Sequence, residues 1–517
     1  MKKMPERRPS GGGADAAAAV ALMQAGDYAR AIDAFRHLAG RQPGLAVAHA
    51  GLGRCLGRSG QRVAALASLT HAGELLQRGL TRGVPADALL DVAFELQALH
   101  AHAASLCFID AALDAAPALA RAHHLKAIAL QHGGRAHDAL RCATRASALA
   151  PGEANALLLR ATLEAQCGHL DAARAQLGAL IDDRNPDIHV RAMRELGGVL
   201  DRCGQHDAAF DMLRNANAIQ LAALRARGFD PARTMAAIER EPALCTAAWL
   251  QRHAGEHDDE RPAPVFLVGF YRCGTTLLEQ MLASHPGLVT SSENPLIAQL
   301  ERAVGTAPDP AAHWTERWAA AGPHTAKRLR ALYFRHAEAM LGPLPAGARL
   351  LDKCTMNSMH AGFLRALFPD ASIIFARRDP RDVLLSCFMQ SFTPGALTAQ
   401  LLDWQQAARF HDAVLRQWSC MRERLGDKVF ETQYEELVRS PETTLRPLLA
   451  GLGLDWHDGV LRFHETAHLR PISTPSFADV TKPVHASASG RWQRHAARFD
   501  DIQPWIAPHV PPAGRPA

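Results

Sequence analysis

The stretch that decides the fold of the C-terminal half is Gly269–Thr276, GFYRCGTT. An apolar run, PVFLV at residues 264–268, precedes it, and a helix-like run, LLEQMLASH at residues 277–285, follows it. Its two glycines have the spacing of the phosphate-binding loop G-x-x-x-x-G-K-[ST], but Thr275 stands where that loop has a lysine. The stretch therefore predicts a strand, a glycine turn and a helix, in a loop that lacks the group spanning the outer phosphates of a triphosphate.

Such a turn places several backbone N–H donors and the positive end of the helix dipole at one point, where an anion binds. Thr275 and Thr276 add hydroxyl donors, and Arg272 adds a charged fork. Because the lysine is missing, the loop suits a nucleotide with a single 5′-phosphoryl group better than a triphosphate. A glycine turn that merely links a strand to a helix is the alternative.

Short β-rich runs alternate with helix-patterned sequence beyond about residue 220. They are PVFLVGF, ARLLDK, ASIIFARR and DKVFETQ, and their alternation predicts a parallel sheet covered by helices on both faces. Lys353 and Arg378 follow two of these runs, at the carboxyl edge where open α/β sheets bind ligands. Taken singly, each is expected to be a solvated surface charge. Taken together, they come after successive strands, in the order expected of a site that binds two separate phosphate groups.

The first 220 residues repeat with a period of 34 residues. The markers of the period are Gly26, Gly60, Gly134 and Gly168, with His100 replacing glycine in one unit and Gly204 two residues late in another. A small residue follows each marker by five positions, and prolines fall where the second helix of several units should end. A loop is expected at residues 77–85, where one interval is too long. This spacing of glycines, small residues and prolines resembles the tetratricopeptide repeat, whose stacked helix pairs form a superhelix with a concave, partner-binding face. A helical bundle without a binding role is the alternative.

Composition excludes several other classes. The net charge of +5, from 57 basic and 52 acidic side chains, is too mild to indicate nucleic acid. Ten scattered cysteines, without a C-x-x-C pair or zinc-ligand spacing, predict neither a disulfide framework nor a metal site. No apolar run approaches the roughly 20 residues of a membrane helix, and the N-terminal MKKMPERRPSGGGA lacks the core of a signal peptide. We expect a cytoplasmic protein.

The sequence thus predicts a multidomain chain, an N-terminal all-α repeat solenoid followed by an α/β, P-loop-like domain with a parallel sheet. The expected segments are a disordered tip at 1–14, the repeats at 15–220, a connector at 221–262, the α/β domain at 263–505 and a disordered tail at 506–517.

Four motifs in order carry a resemblance to a known family: GxxRxGTTLLEQxLxSHP, DK, RRDPRD…S and GRW. Residues 263–505 resemble the sulfotransferases that use 3′-phosphoadenosine 5′-phosphosulfate (PAPS), and most closely their tyrosylprotein branch. The whole chain is similar to bacterial tetratricopeptide-repeat sulfotransferases. The resemblance implies PAPS as donor, adenosine 3′,5′-bisphosphate as product and no metal.

The resemblance also implies roles for individual residues. The loop for the 5′-phosphosulfate is Arg272, Cys273, Gly274, Thr275 and Thr276, the 3′-phosphate contacts are Arg378, Ser386 and Arg491, and further donor contacts are Tyr434 and Ser476. Lys353 corresponds to the lysine beside the leaving group, and with Arg272 it stabilises developing charge. Glu293 matches the base of the tyrosylprotein branch. If Glu293 instead caps the next helix, His285 or His360 is the fallback base.

Two departures from the family pattern bear on function. Gln390 stands where the tyrosylprotein enzymes have an arginine, which weakens the case for a tyrosine acceptor. Cys273 replaces a common serine, and the neighbouring Arg272 raises the question whether its thiol pKa is lowered.

Three hypotheses follow. In the leading one, the chain is a sulfotransferase whose repeats recruit the acceptor, which is a peptide, a protein or a small molecule, with a homodimer the favoured assembly. In the second, it is a repeat scaffold whose transferase domain has become a non-catalytic binding module. The third, a kinase-like nucleotide enzyme, lacks its loop lysine.

Overall fold

The structure of the protein is a computed structural model that describes residues 12–78, 85–253, 261–291, 293, 295–305, 312–322, 324–467 and 483–511. The chain divides into two compact units between Gln176 and Leu177. Residues 1–11 of the predicted tip and 512–517 of the predicted tail lie outside the described residues, whereas residues 12–14 begin the first helix and residues 506–509 are helical.

Antiparallel helix pairs build the N-terminal region. The helices are α1 (Gly12–Gln24), α2 (Tyr28–Arg41), α3 (Ala46–Arg58), α4 (Arg62–Gln77), α5 (Ala86–Ala98), α6 (His102–Ala115), α7 (Ala120–His132), α8 (Ala136–Leu149), α9 (Ala154–Gln166), α10 (Leu170–Leu180), α11 (Pro186–Arg202) and α12 (His206–Ala226). The expected loop between Gln77 and Pro85 separates α4 from α5, and its residues 79–84 lie outside the described part of the chain.

The repeat markers lie in the turns within these pairs, in the left-handed backbone region. Their φ values are 79° for Gly26, 77° for Gly60, 58° for His100, 73° for Gly134, 90° for Gly168 and 76° for Gly204. Glycine adopts this conformation without the steric cost that a Cβ adds, which explains its recurrence. The small residues five positions later, Ala31, Ala65, Ser105, Ala139, Ala173 and Ala209, are all fully buried. The predicted period and its helix pairs are confirmed.

The rest of the chain contains a parallel sheet between helices. Its strands are β1 (Val265–Gly269), β2 (Leu288–Thr290), β3 (Arg349–Lys353), β4 (Ser372–Arg377) and β5 (Val429–Gln433). Its helices are α13 (Pro231–Leu244), α14 (Ala247–His253), α15 (Thr275–Leu282), α16 (Leu296–Arg302), α17 (Trp314–Ala321), α18 (Thr325–Leu341), α19 (Ala361–Leu367), α20 (Pro380–Met389), α21 (Trp404–Arg422), α22 (Tyr434–Arg439), α23 (Pro441–Gly451), α24 (His464–Ala467) and α25 (Gln503–Ile506). Short 3-10 helices span Thr355–His360, Thr398–Leu402, Asp458–Val460, Arg491–Ile502 and Ala507–His509.

The strand order is β2-β3-β1-β4-β5, with every neighbouring pair parallel. Alternate residues of β1 enter two different apolar clusters: Val265 and Leu267 pack into one, and Phe266 and Val268 into the other. Helices therefore cover both faces of the sheet, and all the carboxyl ends meet at one edge. The predicted fold class is confirmed; β2, with three residues, is the strand that the sequence patterns missed.

Candidate active site

The glycine loop joins β1 to α15 at the carboxyl edge of the sheet. Two of its residues are left-handed, Arg272 with φ 62° and Gly274 with φ 93°, and α15 begins directly after them at Thr275. Thr275 and Thr276 lie in the first turn, where helical N–H groups have no partner within their own helix. Backbone donors, two hydroxyl groups and the positive helix end thus share one position, which favours an anion.

Gly274 is required in this loop for two separate reasons. Its φ disfavours any Cβ, and a Cβ built there would lie 2.4 Å from Cδ2 of Tyr434. A Gly274→Ala variant should therefore bind a phosphorylated ligand about tenfold or more weakly, because the loop must shift.

Gly60→Ala is the matched control. Gly60 has a φ of 77° but nothing within 4 Å of its built Cβ, so both variants carry the backbone strain, about 1–2 kcal/mol. Calorimetric titration and thermal unfolding separate the two effects. Undiminished ligand affinity in Gly274→Ala would contradict the role given to the loop.

Three predicted site residues form one hydrogen-bonded group beside the loop. Arg272 Nε donates to Ser386 Oγ at 2.9 Å, and Arg378 Nη1 donates to the carbonyl oxygen of Arg272 at 3.0 Å. The Arg378 guanidinium also lies 4.6 Å from the centre of the Tyr434 ring, a cation–π contact. Arg378 follows β4, and Ser386 lies in α20, which begins with Pro380 after the capping side chain of Asp379. Three segments distant in sequence thus meet at this point: the loop after β1, the β4–α20 segment and the start of α22.

A second group surrounds the buried ammonium of Lys353. Its Nζ lies 2.7 Å from Oε1 of Glu293 and 3.2 Å from Oε2 of Glu279. Lys353 is fully buried and Glu279 is buried, whereas the Glu293 side chain is 38% exposed. Burial lowers the pKa of Lys353, but the two carboxylates outweigh burial and raise it above the ordinary value. Lys353 is therefore a charged donor, and Glu293 is the carboxylate of this group that solvent reaches.

Glu293 reaches Lys353 through a strained backbone. Its φ is 53°, and its backbone N–H donates to the carbonyl oxygen of Lys353 at 2.7 Å. The next helix, α16, has Pro295 at its N-cap and no side-chain cap. The carboxylate of Glu293 is thus directed to Lys353 and not to the helix.

The two fallback histidines have partners outside this group. His285 Nε2 lies 2.9 Å from the carbonyl oxygen of Asp455, and its Nδ1 accepts from Gly287 N–H at 3.0 Å. His360 Nδ1 lies 2.8 Å from Glu301. Burial lowers the pKa of His360, but Glu301 outweighs burial and raises it. Neither histidine contacts Lys353 or Glu293 among the described residues.

The pKa of the Cys273 thiol is raised and not lowered, which answers the question that Arg272 raised. The residue is 3% exposed, and burial raises its pKa to about 11. Fewer than about one such thiol in a thousand is ionised at pH 7.5. Iodoacetamide at that pH should leave Cys273 unmodified in the folded protein while it alkylates Cys420, which is partly exposed. Peptide mass mapping checks this; preferential alkylation of Cys273 would be the contrary result.

The last two predicted donor contacts are Arg491 and Ser476. Arg491 Nη2 donates to Oδ2 of Asp201 in α11 at 3.0 Å, and the guanidinium stays 40% exposed. The segment around it is held to α20, because Asp382 accepts from the N–H groups of Gly490 at 2.6 Å and Trp492 at 3.0 Å. Arg378 reaches the same segment by donating to the carbonyl oxygen of Ala488. Ser476 lies outside the described residues.

The motifs contained two relevant residues that sequence reasoning did not single out. Glu279 lies one turn after Thr275 in GTTLLEQ, and Asp382 closes RRDPRD. The signal in both was a carboxylate next to apolar residues in a helix-patterned stretch, since a buried acid needs a partner. A cavity of about 380 Å³ also opens beside Cys273 and Arg378, with Gln433 and Glu436 on its β5 side. Its volume lies in the range of small-molecule sites.

No helix in the described ranges is both long and apolar enough to cross a membrane.

Comparison with known proteins supports the family resemblance. A model described as the sulfotransferase family matches residues 264–458. Protein-tyrosine sulfotransferase A of Caenorhabditis elegans is 28% identical over 252 residues, which are 47% of this chain and 65% of that protein. An uncharacterized protein of Aquifex aeolicus is 28% identical over 305 residues, which are 57% of this chain and 38% of that protein. This chain thus spans less than two thirds of either curated relative.

Among solved structures, the sulfotransferase domain of the Synechococcus PCC 7002 olefin synthase is similar, with 22% identity and a TM-score of 0.33. The similarity covers 46% of this chain and 90% of that domain. The resemblance predicted from the motifs is confirmed for the C-terminal region by its family match.

Proposed function

We propose that this chain, whose residues 264–458 match the sulfotransferase family, transfers a sulfuryl group from PAPS to an acceptor hydroxyl. The observation that carries the proposal is the group of Arg272, Ser386 and Arg378 beside a glycine loop without lysine. In the proposal the loop provides one position for an anion, and the side chains of Arg378 and Ser386 provide a second position next to the end of β4. PAPS carries one phosphate in its 5′ chain and another on its ribose, which is the ligand chemistry that such a pair of positions suits.

The donor fits the unsatisfied groups of this site. Arg378 Nε is buried and has no hydrogen-bond partner among the described residues. A buried unsatisfied donor costs about 1–3 kcal/mol, more when charged, and a phosphate oxygen would remove that cost. In the proposal Arg378, Ser386 and Arg491 hold the 3′-phosphate, and the loop from Arg272 to Thr276 holds the 5′-phosphosulfate. In the proposal the further donor contacts are Tyr434, whose ring lies against the Arg378 guanidinium, and Ser476.

The donor supplies a sulfuryl group on a phosphate leaving group, and transfer breaks one S–O bond as the acceptor oxygen forms another. Glu293 takes the proton of the acceptor hydroxyl, a role typically worth about 10²- to 10⁴-fold in rate. Lys353 and Arg272 stabilise negative charge on the sulfuryl oxygens and the departing phosphate. When Glu293 has accepted the proton of the acceptor hydroxyl, Glu279 still lies next to Lys353. The lysine therefore remains protonated. No step needs a metal.

The repeats present the acceptor in this proposal. Helices α1 to α6 line an apolar cavity of about 290 Å³ in the first unit, with Arg54 and Asp91 among its lining residues. Repeat arrays bind partners on extended surfaces, and an apolar lining with a few polar groups there suits a peptide or protein segment. The acceptor is accordingly proposed to be a peptide or a protein, with a small molecule as the alternative and a homodimer as the proposed assembly. We place the reaction in the cytoplasm.

Transfer of label from ³⁵S-PAPS tests this function. The full chain should label at least one acceptor class in a panel of tyrosine peptides, sugars and phenols, and should release adenosine 3′,5′-bisphosphate in step. Binding of the bisphosphate without label transfer to any class would favour the alternative of a non-catalytic scaffold. Preferential ATP binding would favour the kinase-like alternative.

A further inference from the structure

The C-terminal end of α20 rests on the last helix pair of the repeats, α11 and α12. Asn217 Nδ2 donates to the carbonyl oxygen of Phe388 at 3.2 Å, and Arg194 Nη1 donates to that of Gln390 at 3.1 Å. The Phe210 ring stacks on that of Phe388 with 4.9 Å between centroids. All of these residues belong to the compact unit that begins at Leu177.

These contacts satisfy a physical need of α20. The last four carbonyl groups of a helix have no partner within it, and that end carries a partial negative charge. Arg194 and Asn217, which we call the capping pair, supply a cation and an amide there, and Arg194 is joined to Asn217 by a further hydrogen bond.

Arg194 is buried at this contact, so its charge has to be compensated by the groups that it meets there. The residue is 7% exposed, and burial lowers its pKa to about 10, so it remains charged at neutral pH. Within the described ranges its partners are the oxygens of Asn217, Gln220 and Gln390, with no carboxylate among them. A buried cation is costly without a compensating charge, and here the negative end of α20 provides it.

The same helix pair also holds Arg491. Asp201, which is 5% exposed in α11, accepts from Arg491 and is bonded to His495 Nε2 at 3.0 Å and His206 Nδ1 at 2.8 Å. Two separate donor-site elements, α20 with Ser386 and the segment with Arg491, therefore rest on α11 and α12.

We propose that the last repeat helix pair is a positioning element of the donor site, in which Arg194 and Asn217 fix α20 so that Ser386 meets the 3′-phosphate while it accepts from Arg272. The inference rests on the proposed function, because it presumes that the donor binds there. The pair acts through α20 and does not itself touch the donor. The final repeat is thus part of the transferase site, in addition to any part in recruiting an acceptor.

An Arg194→Met variant of the full chain tests the inference. Methionine keeps much of the apolar stem but removes the donors, so adenosine 3′,5′-bisphosphate should bind about tenfold more weakly by calorimetry. Asp207→Asn is the matched control, because the Asp207 side chain joins the same helix pair to Arg498 but is 89% exposed. Its affinity should equal that of the wild type. If Arg194→Met does not fold, Asn217→Ala serves with the same expectation.

Two further variants separate positioning from a general loss of stability. Leu69→Ala opens the repeat core, where Leu69 is fully buried, and should lower the melting temperature without changing bisphosphate affinity. Combining Arg194→Met with Ser386→Ala should give less than the product of the single losses, since both act on one contact. Two results would overturn this inference and leave the proposed function untouched. One is wild-type affinity of the Arg194→Met variant for the bisphosphate, and the other is a loss in the double variant that equals the product of the two single losses. Absence of bisphosphate binding by the wild type overturns the proposed function instead.

Discussion

Replacing Arg378 with alanine should weaken binding of adenosine 3′,5′-bisphosphate by about 100-fold or more. Hydrogen bonds to charged groups contribute about 1.5–3 kcal/mol each, and the substitution removes the unsatisfied Nε donor that the proposal assigns to the 3′-phosphate, together with the charge of the guanidinium. It also removes the contact that ties the glycine loop to β4, at the carbonyl oxygen of Arg272. Calorimetric titration of wild type and variant measures the loss.

Arg377→Ala is the control that the chain itself offers. Arg377 is the last residue of β4 and directly precedes Arg378, but its side chain is 41% exposed and pairs with Glu431 at 3.1 Å. An exposed pair of this kind is worth about 0–1 kcal/mol, so the control should bind within a few-fold of wild type. Equal losses in the two variants would show that general positive charge, and not the Arg378 site, attracts the ligand.

The second large effect is expected at Glu293. A Glu293→Gln substitution keeps the shape of the side chain but removes the base, and should reduce sulfuryl transfer by about 10²- to 10⁴-fold. Bisphosphate affinity should stay within a few-fold of wild type, because Lys353 keeps Glu279 as a buried partner. Initial rates with ³⁵S-PAPS and the acceptor found in the panel measure the change.

Glu301→Gln provides the comparison. Glu301 is a partly buried carboxylate on α16 that pairs with His360 at 2.8 Å, not with Lys353. Its loss should leave the rate of transfer nearly unchanged. A Glu293→Gln enzyme as fast as the wild type would remove Glu293 from the mechanism, whereas a slow Glu301→Gln enzyme would point to His360 and Glu301.

Local signals account for what could be predicted of the fold. Glycine is favoured at each left-handed turn, so the spacing of Gly26 and its counterparts along the sequence is enough to locate the helix pairs. Strands β1, β3 and β4 are buried along all or nearly all of their length, whereas β5 has only two buried residues. Strand β2 was not predicted because its three residues form a pattern too short to distinguish from a loop.

The site was predictable where a motif is contiguous and not where contacts join distant segments. The loop at residues 272–276 could be identified in full from GxxRxGTT. The pairing of Arg491 with Asp201 joins residues 290 positions apart, and that of Asn217 with Phe388 joins residues 171 positions apart. One sequence carries no signal for such pairs, since each polar residue alone is consistent with a solvated surface. Glu279 was overlooked because its helix pattern indicated core packing.

The most direct test of the central claim is calorimetric titration of adenosine 3′,5′-bisphosphate, AMP and ATP into the wild-type full chain. The proposed donor site predicts that the bisphosphate binds at least about 100-fold more tightly than AMP, which lacks the 3′-phosphate that Arg378 and Ser386 would hold. ATP should also bind weakly, because the loop has Thr275 where triphosphate enzymes have lysine. Equal affinity for the bisphosphate and AMP, or a preference for ATP, would contradict the account.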